Sequence, residues 1–353
     1  MFALASNSLE NSMKIAIFSS SFSPAVGGME TLSETLAVEF VRAGHGVKLI
    51  TDTAGEEGDR YPFPVLRQIT SGRRFSIYRQ SDVILSLPLS LRRVTEQLLS
   101  HRPIVVHHPN PLVGRNGRPG LNHLVKQIIR RRMINVVPGQ YMARSIQRSI
   151  IIPNPYNHHL FEYHGEDKPG DVLFVGRLAT VKGVDTLLRA IRKALEAVPN
   201  FRTTIVGEGP ERERFLSLSQ QLQLGNFVTF VGAMRGQELA STMRQHRVMV
   251  VPSLYQEPFG IVALEGLASG CLMIVSQRGG LVDAVGPHAL TFENGNAEQL
   301  ADRLIRALRD PGLTETLLKG SQHHLHLHRA DTIAARYLEA MKSTATNTAN
   351  SLQ

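Results

Sequence analysis

The sequence has no tryptophan and a single cysteine, Cys271. One thiol excludes a disulfide framework and a thiolate metal site, and it fits a reducing compartment. Without Trp, and without aromatics interleaved among the basic residues, the chain lacks a platform on which bases could stack, so nucleic acid is not an expected partner. No run approaches the roughly 20 apolar residues of a helical membrane span. The spacing GxGxxG is absent, which removes the dinucleotide fingerprint. The histidine run His323-His324-Leu-His326-Leu-His328 has no Cys or carboxylate at ligand spacing, so no metal site is expected. It reads instead as the end of one helix leading into the last.

Apolar residues make up 42% of the 353, enough for real cores, and the length points to about two domains. Charge is placed unevenly. Residues 1–155 hold 19 Lys+Arg against 10 Asp+Glu, whereas residues 156–353 hold 20 of each. The whole net charge of +9 therefore sits in the first half, with clusters at Arg73-Arg74, Arg92-Arg93 and Arg130-Arg131-Arg132. A one-sided basic field attracts an anionic surface, or serves only as a solvated face. Residues 1–12 are too short and too weakly basic for a signal peptide and are expected to be a loose extension. The small polar residues 343–353 are expected to be a disordered tail.

Strands alternate with helical patterns along the chain. Met13–Phe18 is a short apolar run ending in a Ser/Pro/Gly loop, which predicts a buried parallel strand. Gly27-Gly28 opens an amphipathic helix to Ala43, Gly44 stops it, and Val47–Ile50 is the next strand. Further runs begin at Val83, Ile104 and Ile134, with a basic helical stretch over about 121–132. The pattern restarts after Pro155 and a polar linker. Strands are predicted at 171–176, 202–206, 227–231, 248–251 and 272–275, with helices at 184–197, 261–269 and 297–308. This implies two tandem doubly wound α/β domains, residues 13–155 and 156–328, and a last helix over 329–342. Ligands of open parallel sheets sit beyond the carboxyl ends of the strands, so the loops there are the places to look.

Three such loops in the second half carry candidate chemistry. Glu257-Pro-Phe-Gly-Ile-Val-Ala-Leu-Glu265 starts a helix near Phe259-Gly260, where unpaired amides can hold an anion. Glu265, one turn in, can accept two hydroxyls, as from a ribose. Alternatively, both glutamates merely complement the helix's positive end. Gly176-Arg177…Lys182-Gly183 places two cations between a strand and a helix, where they can neutralise a diphosphate, or stand as surface charges. Gly207-Glu-Gly-Pro210 reads as a turn shaping a wall. In the first half, Gly27-Gly28 can bring amides near a phosphate or sugar. His107-His108 ends a strand, where a histidine can meet a sugar hydroxyl or do acid/base work, or sit as a loop residue.

Together, in this order, these pieces resemble the retaining glycosyltransferases of family 4, which have the GT-B fold. The resemblance covers almost all of 13–342 and includes Pro153-Asn154 at the domain junction. It implies two Rossmann-like domains facing a cleft, with the last helix crossing back to the first domain. It implies that Arg177 and Lys182 hold the donor diphosphate, that Glu265 binds the ribose, and that Glu257 with the backbone of Phe259, Gly260 and Ile261 holds sugar and phosphate. The base would lie near Gly207, Gly232 and Ala233, and Gly27 and Gly28 would approach the donor. His108 is similar to the family's first-domain histidine near the donor sugar, with His107 the other register. The resemblance further implies metal independence and no cofactor beyond the donor. The chain departs from the family pattern at Pro155, where a glycine is usual, at Ser86-Leu-Pro88, which lacks a usual histidine, and in a short first domain.

The expected activity is hexose transfer from a nucleotide-diphosphate sugar, with UDP-glucose the first choice. The expected acceptor is a glycan or a lipid-linked glycan, met at the cytoplasmic membrane face, where the basic first domain would attract anionic lipid. Two other readings stay open: a sugar-nucleotide epimerase on the same fold, and a non-catalytic subunit that binds a sugar nucleotide. A phosphorylase with a pyridoxal cofactor is disfavoured, since no lysine has a cofactor-type setting.

Overall fold

The computed structural model describes residues 12–25, 27–55, 61–111 and 121–350. The expected N-terminal extension, apart from Ser12, lies outside them. The chain divides into two compact units, residues 1–155 with 330–353, and residues 156–329.

The first unit is built on seven strands: β1 (Lys14–Ser19), β2 (Gly46–Thr51), β3 (Val65–Arg67), β4 (Val83–Leu87), β5 (Ile104–His107), β6 (Ile134–Val137) and β7 (Ser149–Ile151). They run in the order β3-β2-β1-β4-β5-β6-β7, and every pair is parallel. The apolar runs read from the sequence are strands covered on both faces. Ile15 and Ile17 point to one side with Leu36 and Phe40 of the helix Gly28–Arg42, and Ala16 and Phe18 point to the other with Tyr78. The C-terminal helix Ala330–Asn350 lays Ile333, Tyr337 and Met341 into the first of these clusters.

The second unit has six strands: β8 (Gly170–Val175), β9 (Thr203–Val206), β10 (Val228–Gly232), β11 (His246–Val251), β12 (Leu272–Ser276) and β13 (Ala289–Phe292). Their order is β10-β9-β8-β11-β12-β13, again all parallel. Val172 and Phe174 pack with the helix Val184–Ala197 on one face, while Leu173 and Met249 pack with the helix Ile261–Ala268 on the other. The chain winds outward from β8 through β9 to β10, then returns to the far side of β8 with β11. The reversal leaves a crevice beyond the carboxyl ends of β8 and β11. That crevice positions the candidate site.

Two expectations are corrected. The residues from Ser343, read as a disordered tail, continue the last helix to Asn350. A helix already anchored by buried Tyr337 and Met341 extends at little cost, because the unfavourable nucleation step is behind it. The edge strands β3 and β13, three and four residues long, were not anticipated; they are too short to show a period of their own.

Candidate functional site in the second unit

The loop after β8 begins at Gly176 and Arg177 and passes through a 3-10 turn, Thr180–Lys182, into the helix Val184–Ala197. The turn is closed by the Lys182 amide donating to Ala179 O at 2.9 Å and the Gly183 amide to Thr180 O at 3.0 Å. Gly183 has φ +73°, and a Cβ there would lie 1.9 Å from the carbonyl oxygen of Pro252. Glycine is therefore required by both conformation and space, and the contact presses the β8 loop onto the loop after β11. The Leu254 amide donates to Val181 O at 2.9 Å, a second tie between the same loops.

The two loops meet at an ion pair. Lys182 Nζ donates to Glu257 Oε1 at 2.9 Å. Ser253 Oγ donates to the same carboxylate oxygen. The Lys182 ammonium lies 5.3 Å from the centre of the Tyr255 ring, a cation-π distance. Burial works against the Lys182 charge, yet Glu257 and Tyr255 hold its pKa above the ordinary lysine value. Burial and the Glu257 charge push the Tyr255 phenol up as well. Glu257 is itself fixed from the other side, where its carbonyl accepts the Gly280 amide at 2.6 Å. The Asn294 side chain donates to Ser253 O at 2.9 Å and anchors the start of this loop.

Arg177 is exposed and, among the described residues, forms no ion pair. One cation of the expected pair is thus held by a carboxylate and the other is open to an incoming anion. Helix Ile261–Ala268 begins at Gly260, and its first turn closes with the Ala263 amide on Gly260 O at 3.0 Å. The amides before Ala263 precede the regular ladder. Phe259 is buried, with its ring 5.9 Å from that of His328, and Ile261 is buried too. Both expected contacts at these positions would therefore come from backbone. Glu265 is half-buried and makes no hydrogen bond from its carboxyl to any described residue. Burial raises its pKa to about 8, so the neutral acid is favoured until a donor of hydrogen bonds arrives.

A seam of glycines forms the neighbouring wall. The Gly207 amide donates to Gly232 O at 2.7 Å, joining the ends of β9 and β10. Gly207 has φ +146°, and a Cβ there would fall 1.9 Å from Gly176 O. Gly176, Gly207 and Gly232 thus lie edge to edge, with Ala233 next in sequence. Lys182, Glu257 and the glycine seam are brought together at the β8/β11 switch point, with Arg177 at the foot of the same loop.

In the first unit, Gly27 precedes the helix Gly28–Arg42, and a Cβ on it would meet Glu30 Oε2 at 2.8 Å. Glu30 also accepts the Ser21 hydroxyl. His107 ends β5 and His108 follows it. His107 is fully buried, with Nδ1 2.8 Å from the Tyr337 hydroxyl. His108 is 1% exposed, with Nε2 2.8 Å from Asn135 Oδ1. Burial, with each ring's neighbouring cations or imidazole adding to it, lowers their pKa values to about 3 and about 4. Both are neutral, buried histidines in the first unit. The histidine run is also structural in its contacts: His324 Nε2 sits 2.7 Å from Ala284 O, and His328 Nδ1 sits 2.7 Å from His324 O. Among the described residues no group of three or more His, Cys, Asp or Glu could hold a metal.

Ser253 and Tyr255 were not singled out from the sequence, although they stand just before Glu257 in the loop after β11. Their signal was the spacing Ser-x-Tyr-x-Glu, which has meaning only once the loop folds back on itself.

The fold and the switch-point cluster define a doubly wound α/β protein with paired and open charges in the loops after β8 and β11, and comparison with known proteins shows what it is similar to. Residues 159–324, within the second unit, match the family of glycosyl transferases group 1. A D-inositol 3-phosphate glycosyltransferase of Streptomyces bingchenggensis is 35% identical over 185 residues, covering 48% of this chain and 40% of that protein. Glycosyltransferase MJ1607 of Methanocaldococcus jannaschii is 34% identical over 163 residues, 46% of this chain and 41% of its own length. The matched stretch thus spans about two fifths of these relatives. Among solved structures, Anabaena Alr3699/HepE in complex with UDP and glucose superposes with TM-score 0.79 at 18% identity, over 94% of this chain and all of that one. A glycosyltransferase from Rickettsia africae gives TM-score 0.81 at 15% identity, over 96% and 100%. These likenesses show the fold: two Rossmann-like units of the GT-B type.

Proposed function

We propose that the protein is a metal-independent, retaining glycosyltransferase of family 4 that moves a hexose from a nucleotide-diphosphate sugar, UDP-glucose being the first choice, to a glycan or lipid-linked acceptor in polysaccharide or glycoconjugate synthesis. The observation that carries the reading is a set of four ionisable groups around one switch point. Lys182 is paired with Glu257, Arg177 is open, and the acid Glu265 stands without a partner one turn into the following helix. Arg177 and Lys182 suit a diphosphate whose charge grows as it leaves, a task that fixed cations perform without a metal. When the diphosphate draws on Lys182, Glu257 is released to the sugar hydroxyls. Glu265 suits a pair of ribose hydroxyls. The phosphate that departs would take the acceptor's proton on the face it leaves. The group 1 family match and the UDP-bound structure neighbour support the donor class. The proposed place of action is the cytoplasmic face of a membrane; no helix among the described residues is long and apolar enough to cross one.

The test is a screen of UDP-, GDP- and ADP-sugars by thermal shift and by slow donor hydrolysis. A donor at 100 times its Kd stabilises by about 2.7 kcal/mol. Lys182→Ala is expected to lose most donor binding, and Glu257→Ala to lose mainly turnover. Absence of any shift at millimolar sugar nucleotide sinks the proposal. Interconversion of the donor sugar without an acceptor would instead assign an epimerase, and binding with no hydrolysis or transfer a non-catalytic subunit.

A further inference from the structure

Residues 97–161 contain nine Lys and Arg and not one Asp or Glu, while the rest of the chain is balanced at 30 of each. Within this stretch the helix Leu121–Ile129 runs directly into the 3-10 turn Arg130–Arg132. Leu124 and Ile128 are each 57% exposed. They are four residues apart on a helix, so they form one stripe. Arg131 and Arg132 are exposed beside them, and Lys126 is on the same helix.

Among the described residues, none of Lys126, Arg130, Arg131, Arg132 and Arg148 forms an ion pair with a carboxylate. Arg130 donates only to neutral oxygens, Gln127 Oε1 at 2.5 Å and Gln147 O at 2.8 Å. Burial, then the charges of Arg131 and Arg148, hold its pKa below the ordinary arginine value. Folding therefore gathers like charges and leaves them uncompensated, next to two aliphatic side chains in water. Both features cost free energy in isolation, and a partner that is negative outside and apolar just beneath relieves both. A nucleic acid would meet the cations and leave the aliphatic stripe in water.

We propose that Leu121–Ile129 and Arg130–Arg132 form a docking surface for an anionic lipid bilayer, with Leu124 and Ile128 entering the acyl boundary and Arg131 and Arg132 lying on headgroup phosphates. The proposal stands apart from the donor site, which is in the other unit. It assigns to one helix and one turn what the charge balance indicated only as a sign.

The experiment is co-sedimentation of the full chain with phosphatidylcholine vesicles, with and without 30% phosphatidylglycerol as a design choice of roughly physiological anionic content. Binding to the anionic vesicles, weakened by salt, is expected. Arg131→Gln/Arg132→Gln should weaken it about thirtyfold, from two cations near the surface. Leu124→Ser/Ile128→Ser should weaken it at least tenfold with the charge unchanged. Because the protein has no tryptophan, Leu124→Trp supplies a clean reporter whose emission should shift to the blue on anionic vesicles. Equal binding to neutral vesicles, unchanged binding by the serine variant, or an unshifted Trp emission overturns the proposal. So does tight binding of a DNA oligonucleotide that competes with vesicles and ignores the serine substitutions. Each variant's melting temperature is compared with the parent, and the Trp reporter keeps the proposal testable if a double variant fails to fold.

Discussion

Glu265 offers a prediction whose sign can be worked from its surroundings. Its pKa is raised from 4.5 to about 8 by burial, and no cation or hydrogen-bond donor among the described residues offsets that. A raised carboxyl pKa means that the folded state favours the proton. The linked stability is fully present below about 4.5 and is lost as pH rises toward 8. Between those limits the full linkage corresponds to about 5 kcal/mol. The carboxyl is half-buried and water screens part of it, so about 2 kcal/mol is the working figure. Glu265→Gln keeps the shape and removes the titration. Near pH 5 parent and variant should melt together; at pH 9 the variant should melt about 4–8 °C higher. Donor binding should run the other way. Ribose hydroxyls donate to the carboxylate, so the affinity of the parent for a UDP-sugar should rise by up to tenfold per pH unit between about 6 and 8, then level off. The variant should bind more weakly, with a flat profile. Calorimetric titration across this range, alongside melts at each pH, gives both readouts. Parallel profiles for parent and Glu265→Gln would falsify the assignment of the ribose to this residue.

Two further outcomes follow from the same site. Removing Lys182 leaves Glu257 buried against Ser253 and Tyr255 alone, so Lys182→Met should cost about 2–4 kcal/mol, while the double variant Lys182→Met/Glu257→Gln should recover at least 1 kcal/mol of that in chemical denaturation; strictly additive losses would show that the pair is not coupled. Gly183→Ala would force a Cβ to 1.9 Å from Pro252 O at φ +73° and should lower stability by more than 3 kcal/mol and weaken donor binding, whereas Gly72→Ala, a site with nothing within 4 Å, serves as the control that should change neither.

Much of the fold could be read along the chain because buried parallel strands write themselves as uninterrupted apolar runs. Residues 15–18, 104–106 and 272–275 are such runs, and the helix Val184–Ala197 shows its period plainly. The short strands Val65–Arg67 and Ala289–Phe292 carry no such mark; they are strands because a neighbour offers a parallel edge. The last helix was legible to Lys342 and then lost, since its end is held by what precedes it and not by its own composition.

For the site, residue type and spacing alone determined that two cations, two acids and several glycines fall in loops after strands. That is local information, set by where apolar runs stop. Which of those groups touch was decided by tertiary structure. The reversal of strand order between β8 and β11 brings Lys182 onto Glu257, 75 residues apart in sequence. It also recruits Ser253 and Tyr255, and leaves Arg177 open and Glu265 unpartnered. The same layer of structure turned His107 and His108 inward, onto Tyr337 and Asn135. A histidine at a strand end looks alike in sequence whether its ring meets a ligand or a buried hydroxyl. The difference is whether water reaches it, and burial is a property of the packed chain.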